Sequence, residues 1–136
     1  MGQRRRARET ALKILYAMDV TECSVEQAIA DYYAQFGEDP SVAEFANLLV
    51  RGVARRKDEI DEAIRKVSQN WRLERMARVD RNVLRFAVFE LLWVADVPKR
   101  VTLNEAIELA KRYGAEDSGA FINGLLDRIA SDLAKE

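Results

Sequence analysis

Four arginines stand within five positions near the start of the chain, directly ahead of an apolar pattern with helical spacing: Arg4, Arg5, Arg6 and Arg8. A guanidinium presents its donors in a planar fork that matches phosphate oxygens. At a helix N-terminus, where aligned peptide dipoles already place positive charge, each added cation costs roughly a few tenths of a kcal/mol. The run therefore predicts a contact with an anion outside the fold, and a disordered, solubilising N-terminus is the alternative.

Tyr16 lies on the helical face that also carries Arg5, away from the strongest apolar stripe. Single-stranded nucleic acids are bound by such combinations, because bases stack on aromatic rings while phosphates pair with arginine. The pattern favours an RNA-type ligand, and the alternative for Tyr16 is an ordinary position at the edge of the core.

A second basic set lies in the segment RLERMARVDRNVLR, on the side of a helix opposite its apolar face. Its members are Arg78, Arg81, Asn82 and Arg85. This set predicts a surface for a protein or for RNA, with a solvated face of paired charges as the alternative. Glu90 projects into the apolar face of the same helix, where an unpaired carboxylate costs on the order of several kcal/mol. We expect an arginine or a backbone donor to meet it.

The composition favours a folded globular protein. Of the 136 residues, 49% are hydrophobic and 33% are charged, whereas disorder needs fewer apolar residues and a larger net charge than −1. With Cys23 as the single cysteine and no histidine, an internal disulfide is excluded, and a zinc site or imidazole catalysis is disfavoured. No phosphate-binding or dinucleotide loop is present, so we expect neither an enzyme nor a bound cofactor or metal.

The charge is distributed unevenly along the chain. Residues 1–13 have a net charge of +4 and the remainder −5, which indicates a directed contact with an anion. No apolar run reaches the roughly 20 residues of a membrane span, and the start lacks the apolar stretch of a secretory leader. We expect a cytoplasmic protein with no membrane partner.

Apolar residues recur at helical spacing throughout, so the sequence predicts an all-α fold of about seven helices in a single domain, residues 1–136. Gly37 and Gly114 are expected to close helices, and Asp117 or Ser118 to cap the last one. Three capping boxes predict helix starts, at Ser24 with Gln27, Ser41 with Glu44, and Thr102 with Glu105.

Three further features predict how the helices pack. The segment from about Val79 to Ala95 is the most apolar and should form the central helix. In KDEIDEAIRKV the i,i+4 pair Asp61→Arg65 indicates a solvated face. Gly124 interrupts the last helix, where it costs about 1 kcal/mol relative to alanine, so we expect a close approach of another helix there.

Three segments together resemble the NusB family of transcription antitermination factors: RRRARETALKILYAMD, VDRNVLRFAVFEL and DVPKRVTLNEAIELAKRYGAEDSGAFINGLLDRIA. The resemblance implies an all-helical protein without enzyme activity. It also implies pairing with the ribosomal protein NusE and binding of the single-stranded boxA element of nascent ribosomal RNA leaders. The complex is expected to modify RNA polymerase so that it ignores terminators.

The matched motifs also indicate which residues of this chain correspond to the family's contact positions. The resemblance implies RNA contacts at the arginines of RRRAR, Tyr16, Glu74, Asp117 and Phe121, and a NusE contact around Asp80, Arg81, Asn82 and Arg85. Many members have an aromatic residue and a lysine where this chain has Lys99 and Arg100, and SHKF where it has SGAF. The loss of polar side chains beside Asp117 alters the RNA contact there, and we expect Lys99 and Arg100 to compensate in part.

Two alternatives remain at this point. One is a homodimer or protein-interaction module whose RNA surface is masked, and the other is the accessory domain of an rRNA methyltransferase. No cofactor domain precedes Glu136, which argues against the second.

Overall fold

Residues 2–136 are described by a computed structural model, in which seven α-helices and one 3₁₀ turn occur without a β-strand. The helices are α1 (Gln3–Thr21), α2 (Val25–Phe36), α3 (Pro40–Arg55), α4 (Lys57–Val67), α5 (Arg78–Trp93), α6 (Lys99–Tyr113) and α7 (Ser118–Ser131), and the 3₁₀ turn is Leu73–Arg75. The prediction of an all-α fold with about seven helices is confirmed. No helix within residues 2–136 is both long and apolar enough to cross a membrane.

The fifth helix, α5, forms the centre of the fold. Every residue from Asn82 to Leu91 is buried, and the helix packs against α1, α3, α4, α6 and α7. A helix buried on all sides belongs inside a core, so the prediction of a central helix in this segment is confirmed. One connected apolar core extends from α5 to all the other helices.

Several helix ends follow the predicted local signals. The hydroxyl of Ser24 accepts a hydrogen bond from the backbone N–H of Gln27 (3.2 Å) at the start of α2. Gly37 closes α2 with φ at 65°, a conformation that side chains disfavour. Gly114 directly follows the last residue of α6.

Two predicted helix starts are wrong, because both helices begin before the residue that was expected to cap them. Asp39 caps α3 by accepting from the backbone N–H of Ser41 (3.0 Å), and the helix begins at Pro40. The hydroxyl of Thr102 donates to the buried carboxylate of Glu90 (2.8 Å), and α6 begins three residues earlier than predicted.

Two packing predictions are also wrong. Asp61 does not belong to a solvated face; it is buried and accepts two hydrogen bonds from Arg85 (2.9 and 3.1 Å). The space beside Gly124 is open, so no helix approaches it closely. Gly52 has that role instead, because the ring of Phe89 occupies the space where a Cβ would lie.

Candidate nucleic-acid interface

The arginine run is helical, and all four guanidiniums meet carboxylates of the same chain. Because α1 begins at Gln3, the alternative of a disordered N-terminus is wrong. The first turn of α1 has no acidic residue, so carboxylates from other elements offset the positive charge at this helix start. The pairs are Arg4–Asp96 (3.2 Å), Arg5–Glu105 (2.7 Å), Arg6–Glu38 (2.7 Å) and Arg8–Glu90 (2.7 Å).

Arg8 differs from the other three because its ion pair is buried. Its side chain is 4% exposed and donates two hydrogen bonds to Glu90 (2.7 and 3.0 Å). The expectation that an arginine meets Glu90 is therefore confirmed. Breaking such a pair leaves a buried charge uncompensated, so the expected contact between Arg8 and phosphate does not fit this position. Arg8 is a structural residue.

Arg4, Arg5 and Arg6 are about half exposed, and Arg5 is the most exposed at 54%. Surface ion pairs of this kind contribute about 0–1 kcal/mol, so a phosphate can replace the carboxylate at little cost to stability. The hydrogen bond from Arg5 lowers the pKa of Glu105 below its ordinary value, and this carboxylate stays charged near neutral pH. The carboxylates therefore orient the three outer arginines, and a phosphate can still replace each carboxylate.

Tyr16 lines a shallow cleft of about 330 Å³ whose other lining residues are Leu12, Lys13, Val79 and Tyr113. The side chain of Tyr16 is 41% exposed, as a ring available for stacking must be. Tyr113 at the end of α6 adds a second ring, which the sequence patterns did not indicate. The Lys13 ammonium lies 5.8 Å from the centroid of that ring. The cleft thus combines rings with a cation between α1 and α6, the two helices that the Arg5–Glu105 pair also joins.

A larger cleft of about 560 Å³ lies where the loop after α4 meets the starts of α5 and α7. It is lined by Asn70, Trp71, Arg72, Arg75, Met76, Ala77, Asp80, Asp117 and Phe121. Three of the predicted site residues, Asp80, Asp117 and Phe121, therefore come together. Trp71, Arg72 and Arg75 were not predicted from the sequence, because they lie in a segment without helical periodicity.

Trp71 and Phe121 supply the stacking surface of this larger cleft. Trp71 is 61% exposed, and the two ring centroids are 5.7 Å apart in an edge-to-face arrangement. Asp117 occupies the N-cap position of α7 but makes no side-chain capping bond within residues 2–136, so its carboxylate is available to a ligand. Among the same residues, Oδ1 of Asp80 is buried without a hydrogen-bond partner.

The two clefts adjoin at the start of α5, where Val79 lines the smaller cleft and Asp80 the larger one. We call the combined surface the aromatic band. Its residues are Tyr16, Tyr113, Trp71, Arg72, Arg75, Asp117 and Phe121. The band combines two exposed rings and two partly buried rings with cationic side chains, a combination that can hold unstacked bases and phosphates.

Three further predicted RNA contacts lie off the aromatic band, as the four arginines of α1 do. Glu74 is exposed and pairs with Arg65 (3.0 Å), and it does not line the cleft beside it. The ammonium of Lys99 donates to two backbone carbonyls at the end of α7 (3.0 and 3.1 Å), so it is not free to compensate as expected. Arg100 is exposed in the first turn of α6 but lines neither cleft.

The predicted partner-binding set on α5 is largely an internal network. Arg81 pairs with Asp19 (2.9 Å), to which Asn82 also donates (2.8 Å), and Arg85 pairs with Asp61 (2.9 Å). Asn82 and Arg85 are buried, so placing them on a solvent-facing side is wrong. The apolar pattern could not reveal that α1 and α4 bring carboxylates to this side of α5. Asp80 alone of the set lines the larger cleft.

The seven helices and the aromatic band define an all-α binding protein that offers stacking and ion pairing. No group of three or more His, Cys, Asp or Glu side chains in the described part of the chain could hold a metal ion.

A model of the NusB family matches residues 5–131. The chain is 51% identical to the transcription antitermination protein NusB of Sorangium cellulosum (strain So ce56), with 99% of this chain and 96% of the relative covered. Identity to the NusB protein of Anaeromyxobacter dehalogenans (strain 2CP-1 / ATCC BAA-258) is 54%, over 97% and 93% of the two chains. The chain belongs to the NusB family.

Solved structures agree with this assignment. NusB of T. maritima superposes with a TM-score of 0.89 at 42% identity, over 96% of this chain and 92% of that one. A second match is the crystal structure of antitermination factors NusB and NusE in complex with dsRNA, with a TM-score of 0.88, 28% identity, and 98% and 99% of the chains covered. The resemblance found in the sequence motifs is confirmed, and the family is one of transcription antitermination factors rather than enzymes.

Proposed function

We propose that this chain binds single-stranded RNA of the boxA type together with NusE, on nascent ribosomal RNA leaders. In that complex it acts on transcribing RNA polymerase in the cytoplasm and suppresses termination. The observation that carries the RNA part is the aromatic band, in which the exposed rings of Tyr16 and Trp71 and the partly buried ring of Phe121 lie in clefts that also hold cationic side chains. The solved complex of NusB and NusE with dsRNA supports the choice of partners.

A single strand suits the aromatic band because its bases are free to leave the stack and lie on protein rings. Each stacked base contributes about 1–3 kcal/mol. Asp117 and Phe121 are one helical turn apart on α7, so one nucleotide can meet a ring and a hydrogen-bond acceptor at the same time. The carboxylate of Asp117 distinguishes between bases, whereas stacking on the ring of Phe121 tolerates any base.

The outer arginines supply the electrostatic part of binding. RNA phosphates replace the carboxylates at Arg5 and Arg6, while the start of α1 contributes its unpaired N–H groups and its dipole. This exchange explains why cations stand at an unfavourable helix end.

NusE approaches beside the aromatic band, at Asp80. Asp80 is the one member of the predicted partner-binding set that lines the larger cleft. Arg81, held by Asp19, also lies near the backbone carbonyls of Leu73 and Glu74 (3.5 and 3.4 Å). It thereby positions the 3₁₀ turn that carries Arg75.

The test is fluorescence anisotropy with a labelled boxA-type RNA, with and without NusE. In the double variant Arg5→Ala/Arg6→Ala we expect weaker binding and a shallower salt dependence, by a slope of about 0.7 for each phosphate that is no longer neutralised. Arg55→Ala is the matched control, because Arg55 is exposed on α3 and lines neither cleft of the band. An unchanged affinity and salt slope in the double variant contradict the proposal.

A second variant separates a direct role of Arg5 from a structural one. Glu105→Gln weakens the competing ion pair and leaves the guanidinium in place, so RNA affinity should stay the same or rise. If Glu105→Gln weakens RNA binding as much as Arg5→Ala does, the ion pair itself is needed and direct phosphate contact is refuted.

Self-association is the competing arrangement, because the same exposed rings offer apolar area to a second copy. Sedimentation velocity at several concentrations distinguishes the two. A stable dimer that dissociates when RNA is added fits a masked RNA surface, and a dimer unaffected by RNA argues against the band as the RNA site.

A further inference from the structure

A third cleft shares Asn70 and Trp71 with the larger cleft, and its other lining residues lie outside the aromatic band. It measures about 300 Å³ and is lined by Lys66, Val67, Gln69, Asn70, Trp71 and Arg128. Two of these side chains are cations and none is acidic. The cleft is within the size range of ordinary ligand sites, ~300–1,000 Å³, and of its lining residues the function proposed above uses only Trp71.

Two hydrogen bonds fix the walls of this third cleft. The backbone N–H of Trp71 donates to the carbonyl of Ser68 (2.7 Å), which closes a turn and sets the position of the indole. Nη1 of Arg128 donates to the carbonyl of Val67 (2.9 Å), so α7 holds the end of α4. The two cations therefore lie on α4 and α7, and the ring lies on the loop that follows α4.

The polar donors of the third cleft are not used up by the fold. Within residues 2–136 the ammonium of Lys66 makes no hydrogen bond or ion pair, and Nε and Nη2 of Arg128 make none either. Phe121 meets Trp71 edge to face and leaves most of the indole exposed. A ring with free area beside two free cations is the combination that holds a nucleotide.

We propose that the third cleft is an additional RNA subsite, which takes a nucleotide beyond the one held at Phe121. Its base lies against the indole of Trp71, and its phosphate lies between Lys66 and Arg128. The inference rests on the proposed function, because the same strand has to cross Trp71. It deepens that function by making the protein read a longer single strand than the aromatic band alone can hold.

The test compares RNA length. Anisotropy is measured for a core boxA-type RNA and for versions extended by three nucleotides at the 5′ or the 3′ end. We expect one extension to tighten binding about fivefold or more, the lower end of what one stacked base contributes. Lys66→Ala should remove most of this gain and reduce the salt slope by about 0.7 for the extended RNA, while binding of the core RNA stays unchanged.

Lys57→Ala is the matched control, because Lys57 is an exposed lysine at the opposite end of the same helix. Arg128→Ala would remove both the charge and the hydrogen bond to Val67, whereas Arg128→Lys keeps the charge. Thermal unfolding of each variant shows whether the fold is intact. If Arg128→Lys retains the gain that Lys66→Ala loses, charge rather than helix anchoring is responsible.

The outcomes separate the two proposals. If the core RNA does not bind, the proposed function itself fails. If the core RNA binds and neither extension adds affinity, or if Lys66→Ala behaves like Lys57→Ala, only the additional subsite is refuted. A 2-aminopurine placed in the extension gives an independent readout, since stacking on Trp71 quenches its fluorescence and an unquenched signal in the bound complex overturns the subsite.

Discussion

Arg5 and Arg8 lie one turn apart on α1, and both bind a carboxylate at 2.7 Å, yet the two ion pairs have different consequences. Arg8–Glu90 is buried and receives a further bond from Thr102, whereas the guanidinium of Arg5 remains half exposed. In water, an alternative anion can compete for Arg5 at every moment, and none can reach Arg8. The same residue types thus form a structural contact at one position and an exchangeable contact at the other.

This difference shows that burial, and not the identity or spacing of the arginines, decides which of them can bind a ligand. A buried pair is costly to break from one side because the remaining ion is left without water or a partner. A half-exposed pair is largely screened and contributes little. The following variants test the comparison, beginning with the largest expected effect.

Arg8→Ala should lower the free energy of unfolding by about 3–5 kcal/mol, because Glu90 then stays buried without its main partner. Urea unfolding followed by circular dichroism measures the loss. The double variant Arg8→Met/Glu90→Leu should regain most of it, since no buried charge remains. If Arg8→Ala lowers the free energy of unfolding by less than about 1 kcal/mol, water reaches the Arg8–Glu90 pair. The two ion pairs would then not differ in kind.

Trp71→Ala should weaken binding of boxA-type RNA by about 1–3 kcal/mol, the contribution of one stacked base. The free energy of unfolding should change by only about 0.5 kcal/mol, because the side chain is mostly exposed. Leu48→Ala, an exposed apolar residue of α3, serves as the control in the same anisotropy titration. Equal effects of the two substitutions on RNA affinity would exclude Trp71 from the interface.

The variant Asp19→Asn tests the internal network of Asp19, Arg81 and Asn82 through the pH dependence of the protein's stability. Burial alone would raise the pKa of Asp19, but hydrogen bonds from Asn82 and Arg81 outweigh it and lower the pKa below its ordinary value of 3.8. The charged carboxylate therefore stabilises the fold above the pKa of the unfolded chain, and this contribution is lost as the pH falls through the lower folded pKa. The stability difference between wild type and Asp19→Asn should be largest at pH 7 and shrink below pH ~4. A difference independent of pH contradicts this account.

The smallest effect on stability is expected for the exposed ion pair of Arg5 and Glu105. A double-mutant cycle of Arg5→Ala and Glu105→Ala should give a coupling energy of about 0–1 kcal/mol, measured by urea unfolding. The same pair of residues is expected to matter for RNA affinity. A coupling of several kcal/mol would place Arg5 with Arg8 among the structural arginines.

Sequence patterns predicted the helices well because apolar periodicity reflects burial of one face, and only α5 is buried on all sides over most of its length. The patterns also predicted the helix cap at Ser24, whose hydroxyl accepts the expected hydrogen bond from the backbone of Gln27. They failed at Thr102 and Ser41, where the Thr102 hydroxyl donates to Glu90 and the Ser41 backbone N–H donates to Asp39. Local signals cannot show which distant or neighbouring acceptor wins.

The candidate site was predicted only in part, for a related reason. Asp117 and Phe121 stood in a recognisable motif, but the cleft around them is completed by Trp71, fifty positions earlier in the chain. The α4–α5 connection has no periodicity that would place an indole beside α7. Arg85 and Asp61 were misread for the converse reason, because a charge seen on one helix gives no sign that a second helix buries it.

The carboxylates at the start of α1 have a consequence for selectivity among anions. Glu105, Glu38 and Asp96 are tethered to the same molecule, so each competes for its arginine at a high effective concentration. A small solution anion, which can displace one carboxylate at a time, gains too little to succeed. We expect a polymer that presents several phosphates in register to displace them together, so that the protein discriminates among anions by their valence.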